Sequence, residues 1–395
     1  MKKLFSSQTV TTGLAIFSML FGAGNLVYPL MAGMLAGDQT PIAMAGFFLT
    51  AVCLPVIGLI AMILFDGNYE QFFGRLGKIP GAITIWACMM FLGPLIAIPR
   101  ITTLSHTMVA PFIPWNFLQV ITPLSSFVFC IIFLGITFIA TYRENKIVDI
   151  LGNYISPALL FALSIIIVKG FITPGHPGHI DTPPLEIFTS NLKRGYETLD
   201  LVGALFFASI VLHILKNTLG HQLAHKPRLL AWTGFKAGLI GTALLGIVYI
   251  GMSFLGAYHG YGFEQANGGE LFREISFRVL GNYGAAIIAI AVLMACLSTA
   301  IALAAVVGEY AQYTIFKNHI GFATSLTLVL AACIPLSTIG LDRVLTLTAG
   351  PIIAIGYPVL AAITLCNMAY KLFNFKPIKT PVLITFAAAL LSYLR

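Results

Sequence analysis

The residues best placed to do chemistry in this chain lie in the segment Phe21-Gly22-Ala23-Gly24-Asn25-Leu26-Val27-Tyr28-Pro29. Pro29 removes a backbone donor and clashes with the preceding turn, and Gly22 and Gly24 loosen the chain just before it, so a helix through this stretch breaks. A break leaves carbonyl oxygens on the upstream half and N–H groups on the downstream half. Carbonyl ends draw cations and N–H ends draw carboxylates, which makes such a break a place for an ion and a small solute at membrane depth. The plainer alternative is a proline kink packed on glycine, with no ligand.

Two other segments carry polar groups inside apolar surroundings. Cys296-Leu297-Ser298-Thr299-Ala300 puts two adjacent hydroxyls in mid-run. Each can return its hydrogen bond to a carbonyl one turn back and need nothing else. Beside the carbonyls of the first break, the same two oxygens would suit a hard cation such as sodium. Gly93-Pro94 and Pro99-Arg100 bend a third helix and put an arginine near the membrane edge. Arg100 either snorkels to the interface or acts as a gate, pairing with an acid or with a carbonyl end.

Several chemistries have no machinery here. There is no phosphate-binding GxxxxGK loop, no HExxH and no histidine pair spaced for haem iron, so neither an enzyme nor a bound cofactor is indicated. His176 and His179 lack a third ligand at metal spacing, and the proline-rich stretch 170–197 reads as a stiffened cap over one mouth of the protein. The six cysteines all sit in apolar runs and form no disulfide framework. Apart from Asp200, Arg100 and Glu309 at the ends of runs, no charge lies deep in an apolar stretch. That absence argues against a charged solute and, for want of a titratable group, against proton coupling. A secondary transporter or channel for a neutral or zwitterionic solute is what remains; a non-transporting scaffold or sensor is the alternative of another class.

The elements that position these groups follow from composition. Of 395 residues 58% are hydrophobic and only 9% charged, with a mean hydropathy of +0.93, which a water-facing surface would not tolerate. The chain is an all-α polytopic membrane protein with lipid as its surroundings. Its net charge of +8 comes without basic runs interleaved with aromatics, so nucleic acid is not an expected partner. Charge-free runs give eleven candidate crossings, at 4–37, 39–65, 79–99, 121–140, 150–168, 201–215, 237–263, 279–308, 318–341, 344–370 and 380–394, the last of them short. With the N-terminus cytoplasmic, 14 of the 22 Lys and Arg fall on the inner side, as the positive-inside rule requires.

The sequence resembles the bacterial branched-chain amino acid:cation symporters. The resemblance rests on Thr12-Gly13-Leu14 through Met19-Leu20-Phe21-Gly22-Ala23-Gly24-Asn25-Leu26-Val27-Tyr28-Pro29, on Gly93-Pro94-Leu95-Ile96-Ala97-Ile98-Pro99-Arg100, on Gly195-Tyr196-Glu197-Thr198-Leu199-Asp200 and on Ala295-Cys296-Leu297-Ser298-Thr299-Ala300-Ile301. It implies inward symport of leucine, isoleucine and valine with sodium, or in some relatives protons, across the bacterial inner membrane. It also implies one transporter domain, 1–395, built of two inverted five-helix repeats, 9–169 and 198–370, with helices 1 and 6 broken and at least one added C-terminal helix, 380–394. On that scheme the substrate's ammonium and carboxylate meet backbone near Gly22, Ala23, Gly24 and Asn25, and near Phe206, Phe207, Ala208 and Ser209, where the break in helix 6 is expected. Sodium would take the carbonyls of Ser18 and Phe21 and the hydroxyls of Ser298 and Thr299, and Arg100 would serve as gate.

Overall fold

The computed structural model describes residues 7–142, 156–173, 175–219 and 227–394, and among these all regular structure is helical. The first apolar run is divided: α1 (Ser7–Leu20) ends before Phe21, and α2 (Ala23–Ala36) starts after an extended Gly22 at φ −118°, ψ −161°. Gly37, at φ 51°, turns the chain into α3 (Thr40–Phe48), which passes through a wide π-type turn at Leu49–Cys53 into α4 (Leu54–Leu64). A short α5 (Tyr69–Gly74) follows, capped by Asn68, whose side chain accepts from Gln71 N–H at 2.9 Å. Then α6 (Lys78–Met90) opens at Phe91–Leu95, where Pro94 and a non-helical Gly93 bend the chain into α7 (Ala97–Val109).

Beyond a single turn, α8 (Asn116–Gln119), come α9 (Pro123–Tyr142), α10 (Ser156–Ile172), α11 (Pro184–Tyr196), α12 (Asp200–Leu219) and α13 (Pro227–His259). The longest element, α14 (Gly268–Tyr310), is two helices joined at Gly281, whose φ of 68° interrupts the run. Asn267 caps its start by accepting from Gly269 and Glu270 N–H, while Glu270 reaches back to the Asn267 N–H. The chain finishes with α15 (Phe322–Ser337), α16 (Leu341–Ala349), α17 (Pro351–Phe373) and α18 (Lys379–Leu394).

Among the described residues, seven helical stretches are long and apolar enough to cross a membrane, or eight if α15 and Leu341–Leu347, bent by 106°, form one span. Three more apolar helices, Thr9–Leu20, Pro157–Ile172 and Lys379–Leu394, are shorter. The protein is an all-α polytopic membrane protein, and some of its long helical stretches pass through two of the charge-free runs, as Ala23–Leu64 does. Helix ends and charge positions do not coincide: the run 4–37 holds two helices of 14 residues each. The 16 residues of α18 reach only about 24 Å, short of a hydrocarbon core of roughly 30 Å.

Small residues set how closely the helices approach. On α13, Gly241 packs on α1, where an added Cβ would stand 2.8 Å from the Gly13 carbonyl oxygen. Further along α13, a Cβ on Gly256 would overlap the Leu30 carbonyl of α2, and one on Gly33 would overlap the carbonyl of Ser253. Ser253 Oγ also donates to Pro29 O at 2.8 Å. One unbroken helix therefore lies along both halves of the broken one.

The segment between α10 and α11 is tied down rather than loose. Asp38 N–H donates to Gly178 O at 3.0 Å, the Asp38 carboxylate accepts from Ile180 N–H at 3.2 Å, and Gln39 Nε2 donates to the Ile180 and Thr182 carbonyls. His179 Nδ1 stands 2.6 Å from Asp38 Oδ2, and Asp181 is 3.3 Å from the other ring nitrogen. The hydrogen bond and charge of Asp38 lift the imidazole above the usual histidine range. Because the docked value is the higher one, this stabilisation is complete below the ordinary histidine pKa and is lost as pH rises through the raised one. An NMR titration of the ring should show His179 raised in the wild type and lowered toward the ordinary value in Asp38→Asn, with Asp181 keeping part of the shift; identical curves would rule the pairing out.

Candidate functional site

The break between α1 and α2 leaves the last carbonyls of α1 without helical partners, and helix α14 supplies what faces them. Thr299 Oγ1 donates to Phe21 O at 3.0 Å and lies 3.3 Å from Ser18 O, and Ser298 Oγ lies 3.3 Å from the same Ser18 carbonyl. Ser18 Oγ adds a contact of 3.3 Å to Ser298 Oγ, and Ser298 also keeps a bond of 2.8 Å to Ala295 O on its own helix. All four residues expected to hold a cation are therefore adjacent and buried. Sodium is close in size to calcium, whose ligand oxygens stand about 2.3–2.6 Å away, so neighbouring oxygens in an octahedral shell are about 3.3–3.7 Å apart. Three contacts of 3.3, 3.3 and 3.0 Å link these oxygens in a chain from Ser298 through Ser18 and Thr299 to Phe21, close to the spacing of neighbouring ligands in such a shell.

On the downstream side, Asn25 closes the start of α2. Its Oδ1 accepts from the Gly22 N–H at 2.8 Å, and the Asn25 N–H returns to Gly22 O at 3.2 Å. The Asn25 amide nitrogen then reaches across to Asp200 Oδ1 at 2.7 Å and to the Tyr249 hydroxyl. Tyr249 O–H in turn donates to Asp200 Oδ2 at 2.5 Å. Asn25 thus joins the broken helix to α12 and α13.

The second interruption is not where the sequence suggests it. Phe206, Phe207, Ala208 and Ser209 all lie inside the continuous α12, and the helical run is broken at Glu197-Thr198-Leu199, between α11 and α12. Leu199 takes φ 65°, a left-handed conformation that costs a side-chain-bearing residue about 1–2 kcal/mol. Phe206 turns away to stack on Phe73 and lean on Tyr69, with centroids 5.9 and 5.6 Å away, and Ser209 is exposed and bonds back to Phe206 O. Of the four, Phe207 lines the cavity between the two breaks.

Arg100 and Asp200 sit at this second break, and both are buried in the bundle, each only 3% exposed. Arg100 Nη1 donates to Glu197 O at 2.6 Å and Nη2 to Thr198 O at 3.2 Å. A guanidinium on the carbonyl end of α11 and a carboxylate in the first turn of α12 each answer the partial charge of a half-helix. The premise that no titratable group lies deep in the bundle therefore fails at Asp200. No glycine or proline marks this break in the sequence; the acidic pair Glu197 and Asp200 between two apolar helices is the one available signal, and it reads more simply as a membrane edge.

Between the breaks lies a cavity of about 30 Å³ touched by Gly22, Ala23, Asn25, Arg100, Asp200 and Thr299. At roughly 10–15 Å³ for each water, it takes about two or three waters and no amino acid, so loading a solute requires its walls to part. A polytopic helical bundle with unwound backbone from two helices meeting at a closed, buried cavity has the architecture of a membrane carrier. A family profile described as "Branched-chain amino acid transport protein" matches residues 5–395. The "Branched-chain amino acid permease BrnQ" of Bacillus subtilis (strain 168) is 28% identical over 384 residues, covering 95% of this chain and 84% of the permease. The permease of the same name from Corynebacterium glutamicum is 31% identical over 368 residues, covering 91% of this chain and 79% of that one. The chain belongs to this family: it is a multi-pass transport protein of the bacterial inner membrane and not an enzyme. A crystal structure of a mutant Eremococcus coleocola manganese transporter is similar with a TM-score of 0.62 at 14% identity, over 98% of this chain and 86% of that one, and shows a shared fold.

Proposed function

We propose that this protein carries leucine, isoleucine and valine into the cell together with sodium, by alternating access, with its N-terminus in the cytoplasm. Family membership supports the substrate class. The observation that carries the coupling is the meeting of Ser18 and Phe21 carbonyls with the Ser298 and Thr299 hydroxyls at the first break. Neutral oxygens replace a sodium ion's water shell when enough of them converge, which is how transporters of broken-helix design hold the coupling ion. The two breaks support the reading of two inverted five-helix repeats, 9–169 and 198–370, with α18 as the added helix.

The experiment is uptake of labelled leucine into proteoliposomes under an imposed sodium gradient, an imposed proton gradient or none. Uptake is expected with sodium alone. Because Asp200 is buried, the proton arm is a true test: equal uptake on a proton gradient without sodium overturns sodium coupling. Isoleucine and valine should compete within about 10- to 100-fold of one another, since one methylene in an apolar pocket is worth about 1–3 kcal/mol. Lysine and glutamate should not compete, and competition by lysine at valine's concentration overturns the substrate assignment.

A further inference from the structure

Arg100 and Asp200 touch the same cavity from two sides of the second break, and the local fold does not use either up. The Asp200 carboxylate accepts hydrogen bonds from Asn25, Tyr249 and the Thr198 side chain, and two carboxylate oxygens have about four acceptor sites between them. Arg100 spends its two terminal nitrogens on the Glu197 and Thr198 carbonyls, while its buried Nε–H has no partner among the described residues. Neither residue takes part in any of the ion pairs among the described residues. A buried guanidinium N–H left unpaired and a buried carboxylate without a cation are both costly, and both are relieved by a ligand bearing the opposite charges.

On the reading that this chain carries branched-chain amino acids, we propose that Asp200 and Arg100 form a charge clamp for the substrate zwitterion: the α-ammonium goes to Asp200 and the α-carboxylate to the Nε edge of Arg100. The carbonyls of Glu197 and Thr198, which would otherwise attract an ammonium at the end of a half-helix, are already occupied by Arg100, so the ammonium is left to the carboxylate. The guanidinium fork matches a carboxylate as an ammonium does not. Leu20, Ile101, Phe207 and Leu303 complete the lining and give the branched side chain an apolar wall once the cavity widens. The free backbone ends at the first break then serve the coupling ion, and the two charges at the second break serve the solute.

The test measures competition against labelled leucine on the purified, reconstituted protein, using leucine and two analogues that each lack one charge. These are 4-methylpentanoate, without the ammonium, and 3-methylbutylamine, without the carboxylate. In the wild type each should compete at least about 30-fold more weakly than leucine, the loss expected when one side of a buried charge pair goes unmet. Asp200→Asn should weaken leucine by about the same factor and leave 4-methylpentanoate unchanged, and Arg100→Gln should do so for leucine and 3-methylbutylamine. If a variant weakens all three ligands together, the residue only supports the fold and the clamp is wrong. Should neither variant reach the membrane, the wild type decides alone: analogues competing within a few-fold of leucine overturn the clamp. Wild-type protein that binds no labelled leucine overturns instead the substrate class on which the clamp rests, so the two failures are told apart.

Discussion

Gly24→Val should lower the initial rate of leucine uptake at least about 100-fold in protein that still reaches the membrane at wild-type abundance. A Cβ on Gly24 would stand 2.8 Å from Arg100 Nη2, 3.1 Å from its Cζ and 3.2 Å from Thr198 Cα. The guanidinium cannot step aside without dropping the Glu197 and Thr198 carbonyls it holds, and Thr198 is backbone at a strained turn. A β-branched side chain fills this space with a stiff rotamer, so the damage falls on the contact between the two breaks. The loss corresponds to about 3 kcal/mol, the scale of a broken buried network. Gly22 is different in kind. Its φ of −118° is open to any residue, so what matters there is space. Its Cβ would meet the Thr299 methyl at 3.1 Å, a contact that Thr299 relieves by yielding a few tenths of an ångström. Gly22→Ala should therefore retain more uptake than Gly24→Ala. Wild-type kinetics in Gly24→Val would return the segment to an ordinary packing kink.

The double substitution Ser298→Ala with Thr299→Val should shift the sodium titration of leucine uptake by at least about 100-fold toward higher concentration, while leucine affinity at saturating sodium changes by less than about 3-fold. Each hydroxyl bonded to a charged group is worth about 1.5–3 kcal/mol, and valine preserves the threonine methyl that packs on Gly22. Thr299→Ser alone keeps the oxygen and should leave the titration near wild type. The measurement is uptake against sodium concentration at fixed pH. An unmoved titration in the double variant would remove these two hydroxyls from the ion site.

How far the site can be read from the sequence depends on whether the feature is local. The first break is legible because glycine, asparagine and proline within nine residues change what the backbone can do, whatever packs around them. Ser298 and Thr299 are legible because hydroxyls stand out in an apolar run. The second break escapes because Leu199 makes a left-handed turn without glycine, held there by its neighbours rather than by its own preference. Arg100 and Asp200 escape for a related reason: a charge next to an apolar run looks like a membrane edge, and only the packing of α7, α11 and α12 shows them buried. Tyr249 carries no signal at all, since a tyrosine in an apolar helix is ordinary until Asp200 is seen beside it. Where each helix starts and stops is less legible, because helix length is set by breaks and turns as well as by charge.

The packing of α13 along both halves of the first broken helix has a mechanical consequence. Gly241 seats α1, Gly33 and Gly256 seat α2, and the rod between them is continuous across the gap at Phe21-Gly22. A discontinuity braced in this way is a notch cut in a splinted beam, and bending there is resisted by every contact along the splint. The second break has a brace of a different kind, the side chain of Arg100 on the Glu197 and Thr198 carbonyls. A cation seated in the splinted notch would keep the same arrangement of oxygens for as long as the splint holds, whereas a solute at the second break would depend on where one arginine side chain stands.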